Sequence, residues 1–242
     1  LQRRILRRES ELGMSPVLPA FTGHVPACYA RKHPEARIDS VCWPGQEGHW
    51  VYMLNPNDPA FGRIGRAFLE EQRKTYGTSH YYSSDIFNAL MPPSADPDYL
   101  ARTSAAVYES MHGADPEAVW VMQGWLFVSS QGRKFWTPER MKPFLDAVPD
   151  ERMVLLELYS ENRPRWRDTE AYYGKPWVWN MLHNFGGNNG LYGKAPLIAS
   201  EPARMLREPK RGRLSGIGLT MEGTEQNPMI YHLMLEHVWN GE

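Results

Sequence analysis

The run Ser215-Gly-Ile-Gly-Leu-Thr-Met-Glu222-Gly223 puts a carboxylate where chemistry is often done. A short apolar run punctuated by glycines reads as a buried parallel strand, and in α/β folds the C-terminal strand ends carry the reacting groups. Glu222 sits at such an end, which makes it a candidate catalytic acid, base or nucleophile. The competing reading is structural, because acids also favour the first turn of a helix, and one is expected from about Asn227 onward. Two further stretches carry reactive residue types. Val25–Asn57 and its flank hold His24, Cys28, His33, Cys42 and His49, which invites a zinc reading. Their spacings match no standard ligand pair, so no metal is expected. The Gly-rich stretch Asn184-Phe-Gly-Gly-Asn-Asn-Gly190 lacks the Lys-Ser/Thr ending of a phosphate loop. It reads instead as a strand-end loop whose glycines let backbone approach a ligand.

The elements that must position these groups follow from hydrophobic period and punctuation. Six strands are predicted, at Met14–Phe21, His80–Phe87, Ala118–Trp125, Met153–Tyr159, Trp177–Phe185 and Ser215–Met221. Helical patterns cover Leu1–Leu12, Pro59–Tyr76, Pro97–His112, Pro138–Ala147 and Pro228–Trp239. Thr137 before Pro138 and Asp96 before Pro97 are start signals. Strands alternating with helices imply parallel βαβ units, and the spacing suits a TIM-type (β/α)8 barrel of roughly 250 residues. Eight units are needed and about six are visible, so the α/β barrel is expected to be incomplete. The chain opens in a helical pattern, and its first barrel strands and any flanking domains are expected to be absent. Residues 1–242 are read as a single domain. Val25–Asn57 is read as a long irregular loop, a kind that is usually functional. Arg3, Arg4, Arg7 and Arg8 are expected on the wet side of an amphipathic helix, with Ile5 and Leu12 inward.

Composition excludes several function classes. With 27 basic against 28 acidic residues, no net field draws nucleic acid or an anionic membrane. No apolar run is long enough to cross a bilayer, and the N-terminus has no signal-peptide h-region. Two cysteines exclude a disulfide framework but leave one bridge open. Nine Trp and twelve Tyr supply rigid surface for ligands, sugars being the obvious class, although core packing explains most of them.

Five co-linear motifs then carry a resemblance. Gly13-Met-Ser-Pro-Val-Leu-Pro-Ala-Phe-Thr-Gly-His-Val-Pro26, Asp85-Ile-Phe-Asn88, Val119-Trp-Val-Met-Gln-Gly-Trp125, Met181-Leu-His-Asn-Phe-Gly-Gly-Asn188 and Met221-Glu-Gly-Thr-Glu-Gln-Asn227 together resemble the α-N-acetylglucosaminidases, glycoside hydrolase family 89, across nearly the whole chain. The resemblance implies a retaining exo-glycosidase that releases terminal α-linked N-acetylglucosamine, as the lysosomal member does from heparan sulfate. It implies a carbohydrate as the partner, no cofactor, and a lysosomal, secreted or periplasmic setting. Oligomeric state is left open.

The resemblance also implies roles. Retention needs two carboxyl groups about 5–5.5 Å apart, and Glu222 corresponds to the nucleophile. The family acid/base is the Glu of a Phe-Asn-Glu motif that here reads Phe87-Asn88-Ala89, so the proton donor is lost at Ala89. Asn88 is implied to read the 2-acetamido group. Trp125, Phe185 and Tyr231 correspond to residues near the sugar, and His183 and Asn184 are expected at their strand tip beside them. Two acids are considered as replacements. Asp85 shares the face of Ala89 by strand alternation but would lie about 13 Å deeper, whereas Glu161 follows its strand at the correct rim. The alternative function is a catalytically inactive carbohydrate-binding homologue, or a knock-out fragment.

Overall fold

The computed structural model describes residues 1–42, 46–88, 90–187, 190, 192–223 and 225–240. Ala89 therefore lies outside the described residues, as do Asn188 and Asn189 of the Gly-rich stretch. Two compact units are present, one formed by Leu1–Phe87, Pro92–Met122 and Pro143–Met153, the other by Asn88–Met91, Gln123–Lys142 and Val154–Glu242.

In the first unit, helix α1 (Gln2–Glu11) leads into β1 (Val17–Pro19). A small antiparallel sheet, β2 (His24–Val25), β3 (Ile38–Val41) and β4 (Val51–Leu54), follows with the short helix α2 (Ala27–Lys32). Helix α3 (Pro59–Tyr76), strand β5 (Tyr81–Ser83), helix α4 (Pro97–His112) and strand β6 (Val119–Gln123) complete two βα repeats. β1 pairs in parallel with β5, and β5 with β6 through Tyr81↔Val119 and Tyr82↔Trp120. Both long helices start where an aspartate precedes a proline. Asp58 accepts from the Ala60 amide and Asp96 from those of Asp98 and Tyr99, each satisfying donors that a helix start leaves open. α3 buries Phe61, Gly65 and Leu69, one row along the helix. A Cβ at Gly65 would come within 2.9 Å of the Ser110 Cβ, so glycine is what lets α3 lie this close to α4.

The segment read as an irregular loop thus holds a small three-stranded sheet and a short helix. Its strands are only two to four residues long and are separated by Pro, Gly and polar residues, which hid their alternation. Cys28 and Cys42 form no disulfide, so the open bridge is not made. Among the described residues no group of three or more His, Cys, Asp or Glu is placed to hold a metal. The inward residue of α1 is Leu6, while Ile5 and Leu12 are exposed. No described helix is long and apolar enough to cross a membrane.

In the second unit, the short helices α5 (Trp125–Val128) and α6 (Ser130–Phe135) and the start of α7 (Pro138–Asp146) precede β7 (Met153–Glu157). The turn α8 (Glu170–Tyr173), β8 (Trp177–Met181), α9 (Ala195–Arg207), β9 (Leu214–Leu219) and α10 (Pro228–Asn240) follow. β7, β8 and β9 pair in parallel in that order. Trp177, Trp179, Met181, Ile198, Met205, Ile230 and Met234 are buried on these strands and helices.

The connection from β7 to β8 departs from the βα pattern. α8 is wound left-handed, with φ of 48°, 53°, 59° and 53° at Glu170, Ala171, Tyr172 and Tyr173. Non-glycine residues pay roughly 1–2 kcal/mol each for that region, so the turn must be held from outside. Glu157, fully buried at the end of β7, does this. Its carboxylate accepts from the Ser160 hydroxyl (2.7 Å), the Arg165 amide (2.6 Å), the Trp166 amide (2.8 Å) and the Tyr172 hydroxyl (2.8 Å). Burial raises the Glu157 pKa, and these bonds oppose the rise. Each donor left unmet in such a place costs about 1–3 kcal/mol. The acceptor is therefore what keeps the segment after β7 in one conformation.

Candidate active site

The predicted residues of the second unit gather beyond the carboxyl ends of β8 and β9. β9 ends at Leu219, and Glu222 lies three residues further on, exposed. Its main chain is gripped by Asn184, which is 1% exposed. The Glu222 amide donates to Asn184 Oδ1 (3.1 Å), and Asn184 Nδ2 donates to the Glu222 carbonyl (2.6 Å) and to Gln226 Oε1 (2.8 Å). The Glu222 carboxylate accepts a short hydrogen bond from the Gly186 amide. It thus faces the turn after β8 and is not spent on capping α10, which starts six residues later at Pro228. Gly186 has φ +70°, a conformation natural to glycine, and so its N–H can point at the acid. Thr220 ties the strand end down by donating to the Leu158 carbonyl (2.8 Å).

An aromatic cluster begins at the residue before Gly186. Phe185, adjacent to Gly186 and 49% exposed, lies 5.4 Å from the Trp125 ring and stacks on Tyr159 at 6.0 Å. Trp125 opens α5 two residues after β6 ends, so it stands on a helix start and not within the strand as predicted. Phe185 likewise follows β8 in a short 3-10 turn. Trp125 and Tyr159 are half-buried, and the exposed ring of Phe185 suits the apolar face of a pyranose. Tyr159 belongs to the same cluster and was missed. Its signal was its place just past β7, which a strand drawn to Tyr159 concealed.

A second group lies behind. His183 is buried, stacks on Tyr192 at 5.2 Å and meets Tyr231 edge-on at 5.7 Å. Burial lowers its pKa from the usual imidazole value and so favours the neutral ring. Tyr231 stands in the first turn of α10 and its hydroxyl reaches the Leu182 carbonyl at 3.5 Å. Tyr192 donates to the His183 carbonyl. Glu161, 6% exposed, accepts from the backbone amides of Leu182 (3.1 Å) and His183 (2.7 Å). Its burial raises its pKa, and those N–H groups and Lys194 pull it back.

Asn88 is only partly exposed and its Oδ1 is a buried acceptor with no hydrogen-bond partner among the described residues. Strand β5 ends at Ser83, so Asp85 is not on an extended strand, and the alternation that placed it beneath position 89 does not apply.

Parallel βα repeats with a carboxylate and aromatic rings beyond the strand ends have the architecture of the barrel glycoside hydrolases. The chain belongs to the α-N-acetylglucosaminidase family: the family model for the alpha-N-acetylglucosaminidase (NAGLU) tim-barrel domain matches residues 1–241. It is 41% identical to human alpha-N-acetylglucosaminidase over 245 residues, covering 99% of this chain and 32% of the human protein. Among solved structures it resembles a family 89 glycoside hydrolase from Clostridium perfringens in complex with 2-acetamido-1,2-dideoxynojirmycin. That match has 27% identity and a TM-score of 0.81, over 98% of this chain and 26% of that one. A variant of the Clostridium perfringens enzyme with two Glu→Gln substitutions, bound to its substrate GlcNAc-alpha-1,4-galactose, matches at 26% identity and TM-score 0.82, over 99% and 26% of the two chains. The chain spans about a third of the human relative and about a quarter of the bacterial structures.

Proposed function

We propose that these residues supply the catalytic barrel of a retaining glycosidase acting on terminal α-linked N-acetylglucosamine, with Glu222 as nucleophile. The observation that carries the reading is the mounting of Glu222. Its main chain is fixed from both sides by a buried amide, and its carboxylate is oriented by the N–H of Gly186, the residue that follows Phe185 of the Phe185–Trp125 pair. A carboxylate oxygen attacks the anomeric carbon, the bond to the leaving oxygen breaks with its electron pair, and a glycosyl ester forms on Glu222. Water then attacks the same carbon and frees the carboxylate, giving net retention. The unpartnered Oδ1 of Asn88 suits the N–H of a 2-acetamido group, an interaction that strongly rejects sugars lacking it.

The departure at Ala89 supports a second feature. Without an acid there, the leaving oxygen must depart unprotonated or take its proton from water, so natural glycosides turn over slowly while the sugar still binds. The test uses a leaving group that needs no proton. With 2,4-dinitrophenyl N-acetylglucosaminides, the α-anomer releases dinitrophenolate and the β-anomer does not. Equal turnover of the two anomers, or release unaffected by free N-acetylglucosamine, would contradict the reading.

A further inference from the structure

We infer that Glu161 is a positioning residue: from the rim after β7 its carboxylate fixes the backbone turn that leaves β8, and that turn sets the carboxylate of Glu222. The inference rests on reading Glu222 as the nucleophile. Glu161 lies four residues beyond β7, and both of its shorter bonds converge on one atom, Oε1, from the amides of Leu182 (3.1 Å) and His183 (2.7 Å). These are the first two residues after β8. His183 has φ +63°, a conformation that costs a non-glycine residue and persists only where its surroundings impose it. The next residue, Asn184, is the one that grips the Glu222 main chain, and Gly186, two residues on, is the one whose N–H orients the Glu222 carboxylate. The support of Glu161 is itself braced, because Lys194 Nζ donates to its carbonyl (3.0 Å) and to Asn162 Oδ1 (2.7 Å). A short path of hydrogen bonds therefore runs from the end of β7, through the exit of β8, to the acid beyond β9.

The rival role for a buried carboxylate at this rim is proton donor in place of the residue missing at 89. The convergence on Oε1 separates the two. A glutamine keeps a carbonyl oxygen for both amides, loses only the longer bond from the Leu182 amide to Oε2 (3.3 Å), and has no proton to give, so Glu161→Gln largely preserves positioning and removes acid chemistry. Misplacing a reacting group by about 1 Å costs up to about 10²-fold.

The experiment measures dinitrophenolate release from 2,4-dinitrophenyl α-N-acetylglucosaminide, and from aryl analogues with leaving groups of rising pKa, by the full chain and its variants. Glu161→Ala is expected to lower kcat by about 10- to 100-fold, while Glu161→Gln stays within about threefold of the parent at every leaving group. A loss in Glu161→Gln that grows with leaving-group pKa would overturn positioning in favour of acid catalysis. Full activity in Glu161→Ala would remove any role. Amide hydrogen exchange gives a readout that needs no activity: Leu182 and His183 exchange faster in Glu161→Ala and not in Glu161→Gln. Unchanged exchange in Glu161→Ala would also overturn the inference; where Glu161→Ala folds poorly, faster exchange of Leu182 and His183 in Glu161→Gln than in the parent overturns it. If the parent releases no dinitrophenolate while the exchange pattern is as expected, the reading of Glu222 has failed and the anchoring by Glu161 has not.

Discussion

Ala89→Glu is expected to raise turnover of N-acetylglucosaminides with poor leaving groups, such as disaccharides, by about 10²–10⁴-fold, the usual contribution of a general acid. The reason is local to the bond being cleaved. A sugar alkoxide is a very poor leaving group, and on the function proposed above Phe87-Asn88-Ala89, with no acidic side chain, offers it no proton. A dinitrophenolate needs none, so the same substitution is expected to change its release by far less. The comparison of the two substrates isolates proton donation from binding and folding, and Ala89→Gln, similar in size but unable to donate an acid proton, is expected to behave like the parent. A gain of equal size on both substrates, or in the glutamine variant, would show that the substitution repairs packing and not acid catalysis.

Glu222→Gln is expected to abolish release from the dinitrophenyl substrate as well, by on the order of 10⁴-fold or more, because removal of a covalent nucleophile leaves no substitute path of similar rate. The fold should hardly notice. Both bonds from Asn184 go to the main chain of residue 222, the side chain is exposed, and a glutamine oxygen still accepts from the Gly186 amide. Thermal denaturation should therefore place the variant within about 0.5 kcal/mol of the parent, as for other surface changes away from special features. A variant that keeps most of its rate with the dinitrophenyl substrate would assign the nucleophile elsewhere.

The helices were legible where local chemistry decides them. Asp58-Pro59 and Asp96-Pro97 mark the starts of α3 and α4, and both helices run between the predicted bounds. α9 was not seen because Pro196 and Pro202 interrupt its pattern, although Pro196 falls in the first turn, where proline is tolerated. The small sheet β2–β4 escaped because strands of two to four residues carry too little alternation to read. The left-handed turn at Glu170–Tyr173 could not be read locally, since what holds it is a carboxylate 13 residues or more earlier in the chain. The site divides in the same way. Glu222 was legible as an acid after a glycine-spaced strand, and Trp125, Phe185 and Tyr231 were singled out through motifs resembling a known family. The grip of Asn184 on Glu222, 38 residues apart in sequence, and the anchoring of His183 by Glu161 belong to the packing of strand ends, which no local pattern encodes. Leu6 in place of Ile5 and Leu12 on the inner face of α1 is a smaller case, in which a helix with four arginines shows only a narrow apolar side.

The central claim, a retaining displacement through Glu222, is tested most directly by the anomeric form of the first product. Proton NMR of N-acetylglucosamine released from an aryl α-N-acetylglucosaminide by the Ala89→Glu protein, recorded before mutarotation, should show the α-anomer. Initial formation of the β-anomer would contradict the account.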